Sequence, residues 1–327
     1  MKKQTNSAAE EQLCFRTSIG GQALLEGILM RGPKQQSIVC RTPDGLVEKV
    51  DELKLVKDKY PILGMPLIRG VVTFLDSMVK GMQALTYSAD LLPIEEQGEP
   101  DKIDQWIEAH FSEEKAKSLV IGVAVVLGIG LAVGLFVLLP TLLGKLSLRL
   151  IPGMSSFGLS MVEGAIRIVI FLAYLWGVSR MQDVARMFGY HGAEHKTIFC
   201  YEKGLPLTVE NVRRQSRFHP RCGTSFLFVV VMLSILVFAG VSSFLTNWSS
   251  FWLRFGLHLL LLPVIVALSY ELNRWVGRHD NVLTRVLSAP GKWLQRLTTN
   301  EPDDSMIECA IRSLELVIPE EKGSDTW

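Results

Sequence analysis

Ser118 to Gly144 reads SLVIGVAVVLGIGLAVGLFVLLPTLLG, apolar throughout except for Ser118 and Thr141. As a helix at 1.5 Å per residue it reaches about 40 Å, more than the roughly 30 Å hydrocarbon core of a bilayer. Three further apolar runs follow at 158–178, 224–246 and 251–270. The expected fold is therefore an α-helical polytopic membrane protein with about four transmembrane helices, spans 118–144, 158–178, 224–246 and 251–270, and the lipid bilayer is its first partner. The net charge is only +1, so no clustered basic face points to nucleic acid.

Four spans divide the rest of the chain between two sides. Residues 1–117, the loop 179–223 and the tail 271–327 share one side, and the links 145–157 and 247–250 lie on the other. The loop carries Arg180, Arg186, Lys196, Lys203, Arg213, Arg214, Arg217 and Arg221, while the opposite links offer only Lys145 and Arg149. The positive-inside rule then places both termini and the loop in the cytoplasm. Residues 1–17 have basic residues with no apolar core behind them, which predicts a disordered N-terminus rather than a signal peptide. Cytoplasmic loops also argue against disulfides among Cys14, Cys40, Cys200, Cys222 and Cys309.

Residues 18–117 read as a small cytoplasmic α+β domain. Two short strands flank Pro43-Asp44-Gly45 within Ser37–Val50, a hairpin signal. Val71, Val72, Leu75, Met78, Val79, Met82 and Leu85 then recur at helical spacing, an amphipathic helix that can pack on the hairpins or lie on the membrane. Residues 95–117 are polar and charged, a linker into the first span, and no internal repeat is apparent.

The loop holds His191-Gly-Ala-Glu194-His195, spelled like the inverted zinc motif of certain metalloproteases. Two imidazoles four residues apart fall on one helical face and reach one ion, with Glu194 placed as general base. Gly189 and Gly192 are helix breakers on either side of His191 and weaken that spacing. A further metal ligand can come from Glu271 at the end of the fourth span, from His219, or from Cys222. Cys222 precedes a helix start and follows Arg221, which favours a thiolate, as ligand or as nucleophile. A divalent metal is the expected cofactor: a His/Glu set admits zinc, manganese or iron, and Cys222 favours zinc. Arg213, Arg214, Arg217 and Arg221 suit either an anionic substrate or plain positive-inside topology. Glu163 and Arg167, four residues apart inside the second span, read as an ion pair of structural or functional use.

Three blocks carry a family likeness: Gly20–Pro33 (GQALLEGILMRGP after Gly20), His191–Thr197 (HGAEHKT) and His219–Phe226 (HPRCGTSF). Over roughly residues 18 to 290 the chain resembles the YqhQ-like family of bacterial multi-pass membrane proteins, a domain of unknown function. The resemblance implies a protein of the bacterial inner (cytoplasmic) membrane and a metal-dependent enzyme with no established substrate. Likeness to soluble proteases stops at five residues, and their peptidase activity does not transfer. The leading expectation is a hydrolase at the cytoplasmic membrane interface, acting on a membrane-adjacent substrate. The alternative is a non-catalytic membrane protein: a transporter subunit, metal sensor or scaffold, with a homo-oligomer supplying further spans.

Overall fold

The computed structural model describes residues 15–54, 56–92, 112–244, 250–279, 281–321 and 323–326. Most of the expected disordered N-terminus, Cys14, most of the linker 95–117 and positions 247–249 of the second outer link lie outside the described residues.

Four strands, β1 (Gly20–Leu24), β2 (Gly27–Arg31), β3 (Gln35–Thr42) and β4 (Gly45–Glu52), form an antiparallel meander in chain order. The expected hairpin is there: Thr42 pairs with Gly45 across Pro43-Asp44, and Gly45 takes φ 128°, a backbone setting that favours glycine. Alternation along the strands splits their side chains between two cores. Leu24, Leu29, Ile38 and Cys40 pack on Ala84, Leu85 and Tyr87, while Ile28, Met30 and Val39 face the other way. After the short α1 (Val56–Lys59) comes α2 (Ile68–Asp90), the expected amphipathic helix. Its inner side packs on the sheet, and Leu75, Met78, Val79 and Met82 stay exposed.

Among the described residues, four helices are long and apolar enough to cross a membrane. The first runs from Ser118 to Leu150, longer than its expected span, as α3 (Glu113–Val133), a π turn (Gly134–Leu138) and α4 (Leu139–Leu150). Pro140 accounts for a gap in its ladder, since proline has no N–H to donate to the carbonyl of Phe136 four residues back. The others are α5 (Ser156–Val178), α8 (Gly223–Ser242) and α9 (Phe251–Arg278).

Between the second and third of these apolar helices lie α6 (Gln182–Glu202) and the short α7 (Val209–Arg213). After α9 come α10 (Val282–Thr298) and α11 (Asp304–Glu315). Tyr190, Ala193 and Ile198 of α6 and Met306, Ile307, Ala310 and Leu314 of α11 close the second face of the sheet. α10 packs along α8, where Gly291 is pressed so close to Ser225 that a Cβ would sit 2.4 Å from its Oγ. The outer side of α10 leaves Val282, Leu283, Val286, Leu287 and Trp293 exposed.

Candidate metal centre

α6 is one unbroken helix through Gly189 and Gly192, so the two glycines do not act as breakers. They admit close neighbours instead: a Cβ on Gly192 would lie 2.1 Å from the Asn300 carbonyl oxygen, and one on Gly189 2.7 Å from the Met306 sulfur. The i,i+4 spacing therefore holds, and the His191 and His195 rings stand 4.4 Å apart between centroids.

Backbone carbonyls orient both rings. His191 Nδ1 lies 2.7 Å from the Thr298 oxygen and His195 Nδ1 lies 2.6 Å from the Arg217 oxygen. A carbonyl only accepts, so both Nδ1 atoms carry hydrogen and both Nε2 atoms are left for other chemistry. His191 Nε2 is 3.1 Å from Cys222 Sγ. His195 Nε2 is buried with no hydrogen-bond partner among the described residues. Cys222 is the N-cap of α8, its sulfur 3.4 Å from the Thr224 amide. One donor atom from each of His191, His195 and Cys222 falls within 4.8 Å of the other two.

The charges agree with that grouping. Burial pushes the Cys222 thiol up, but His191 and His195 outweigh it and hold the thiol well below its usual range. Burial pulls His191 down, and the Cys222 sulfur, with Glu194 and the Thr298 carbonyl, more than compensates, raising the imidazole to about 9. Cys40 and Cys309, which lack such neighbours, are pushed up to about 12, mainly by burial. Only Cys222 among these three is set up as a thiolate.

Glu194 is also buried, and one carboxylate oxygen accepts the Gly21 amide at 2.9 Å. Burial raises its carboxyl above the usual value despite the two histidines. Gly21 must be glycine here, because a Cβ would meet the Leu29 oxygen at 2.5 Å and the Glu194 carboxyl carbon at 3.2 Å. A cavity of about 310 Å³ opens beside these groups, lined by Arg31, Ser77, Glu194, His195, Arg221 and Cys222 among others.

The structure separates the remaining candidates from this trio. Glu271 is not at the site: Arg69 holds it through two bonds, at 2.8 and 2.5 Å, and the Leu67 amide adds a third at 3.3 Å. His219 borders the cavity, yet its Nε2 faces Glu202 at 3.6 Å and its Nδ1 faces the Arg221 amide at 3.4 Å. Burial lowers His219 to about 4, so it is neutral near pH 7. The arginines that suited either an anionic substrate or positive-inside topology have protein partners: Arg213 holds Asp304, Arg214 holds Glu210, Arg217 donates to the Thr299 oxygen at 2.7 Å, and Arg221 holds Glu202.

Sequence reading missed Glu202 and Gln295. Glu202 anchors Arg221, faces His219 and accepts the Thr17 amide at 2.8 Å. Seven residues beyond His195, it shares a helical face with the motif, a signal open to reading. Gln295 bonds the His219 amide and carbonyl, each at 2.7 Å, and nothing local marks it.

Comparison with known proteins gives a family. A family model described as a protein of unknown function (DUF1385) matches residues 65–320. The uncharacterized protein YqhQ of Bacillus subtilis (strain 168) is 32% identical over 301 residues, 90% of each chain. No solved structure matches. The expected likeness to YqhQ-like proteins thus holds, and the chain belongs to the DUF1385 family.

Proposed function

We propose that this protein is a metal-dependent hydrolase whose site opens at the cytoplasmic face of the bacterial inner membrane. The observation that carries the reading is His195 Nε2, a buried nitrogen lone pair with no hydrogen-bond partner among the described residues, grouped with His191 and Cys222. Two imidazole nitrogens and a thiolate are the donor set of a zinc ion, and the adjoining cavity supplies an open side for a substrate. A bound zinc ion would supply Lewis acidity and a local positive charge.

The chain's own residues do the rest. Thr298 and Arg217 fix the two rings through their carbonyls, so that both Nε2 atoms face one point. Glu194, held by the Gly21 amide, would act as the general base, and burial raises its proton affinity above that of an ordinary carboxylate. The arginine-rich loop 179–223 supports a cytoplasmic site and cytoplasmic termini.

Metal content of the purified protein tests this. Wild type prepared without chelators and loaded with zinc is expected to hold about one ion, and Glu194→Gln should keep it while losing hydrolytic activity. His195→Ala and Cys222→Ser should lose most of it. Wild type that retains no zinc overturns the reading. The second reading, a non-catalytic transport or assembly component, draws on the charged residues buried between the spans. It expects Glu163→Gln to abolish function with metal content unchanged.

A further inference from the structure

The four spanning helices bury a charged cluster remote in sequence from the His/Cys motif. Glu163, Arg167 and Arg254 are 2%, 6% and 0% exposed. Glu163 does not pair with Arg167 as the i,i+4 spacing suggested; it is bonded to Arg254 of α9. A second Arg254 nitrogen donates to the Thr141 carbonyl at 3.3 Å. Arg167 Nε donates at 2.8 Å to the Phe136 carbonyl, to which Pro140, four residues on, has no N–H to donate, and Nη1 reaches the Ser234 hydroxyl at 3.2 Å.

This arrangement does not close. Glu163 is the only acidic residue in the spans as far as residue 270, so two guanidinium groups share one carboxylate. One positive charge has no counter-charge among the described residues of the spans. Each guanidinium also keeps one buried nitrogen with no hydrogen-bond partner among the described residues, Arg167 Nη2 and Arg254 Nε. A bare charge with unmade hydrogen bonds is costly in a medium of low dielectric, and a bound group of opposite sign is the direct remedy.

We propose that the helical bundle binds a small inorganic anion of the halide class beside Arg167 and Arg254. One missing negative charge calls for a monovalent ion. One free nitrogen on each guanidinium leaves little for a larger oxyanion to grip, and the enclosing helices keep a lipid headgroup out. The site is independent of the metal centre.

The test uses the full-length protein in nanodiscs of neutral lipid, with chloride or bromide replacing gluconate at constant ionic strength. The thermal midpoint of wild type is expected to rise by about 3 °C and saturate. Arg167→Gln should abolish the rise, and Glu163→Gln, which removes the competing carboxylate, should lower the half-saturating chloride concentration. Chloride-35 NMR of wild type adds a readout that needs no variant: line broadening relieved by bromide supports the site. A midpoint indifferent to chloride, a rise that survives in folded Arg167→Gln, a rise given only by anionic phospholipid, or unbroadened chloride would each overturn it.

Discussion

His191 and Cys222 hold each other charged. With its ring lifted to about 9 and the thiol well below its usual range, the pair is an imidazolium and a thiolate at neutral pH. An ion entering the site must displace the His191 proton. Calorimetry at pH 7 in buffers of different ionisation heat should therefore find about one proton released per zinc bound. The apparent affinity should climb roughly tenfold per pH unit up to about 9 and then level off. Release near zero would mean that the thiolate and imidazolium are not paired. His219 makes the opposite prediction for stability. Its folded value, about 4, lies below the ordinary 6.5, so the unfolded chain binds its proton first as the pH falls. Stability should drop between pH 6.5 and about 4, by about 3 kcal/mol from this group, and His219→Gln should flatten that part of the profile.

At the scale of elements, α6 shows how a glycine can be misread. Gly189 and Gly192 look like breaks in sequence, whereas the helix runs through both because a neighbouring segment occupies the space of each missing side chain. Gly192→Ala should push against the backbone oxygen of Asn300, destabilise by about 1–3 kcal/mol and draw His191 from the Thr298 carbonyl, lowering zinc content as well as the melting midpoint. Gly177→Ala on α5, with open space where its Cβ would go, serves as the control and should leave both unchanged or raise the midpoint slightly. The first span illustrates the reverse case. Its apolar run is plain in sequence, but the use made of the Phe136 carbonyl depends on Arg167, 31 residues away.

At the scale of the whole molecule, the end of the chain completes its beginning. β2 and β3 are covered by α11, more than 250 residues later, and Ser37 is bonded to Ser313 through its hydroxyl at 2.7 Å. Ile307 is fully buried in that seam, so Ile307→Ala should cost about 2–4 kcal/mol and appear as a lowered midpoint in thermal melts. Gly21 of β1 meets Glu194 of α6 in the same body, so damage to the seam should also reduce zinc retention on warming. A variant as stable as wild type would show that α11 contributes little to holding the sheet.

Sequence by itself determined what short-range physics controls. Apolar runs long enough to cross a membrane, the Pro43-Asp44-Gly45 hairpin and a His pair one helical turn apart are all properties of neighbouring residues. The tertiary structure decided which distant groups meet. Glu271, His219 and Cys222 were equal candidates by type. They separate because Arg69 occupies the first, Glu202 and Arg221 the second, while the third faces His191, His195, the Thr224 hydroxyl and a helix N-terminus. Glu163 likewise passed over the Arg167 of its own helix for Arg254. A side chain's partner follows from the packing of whole helices, and no spacing along the chain encodes it.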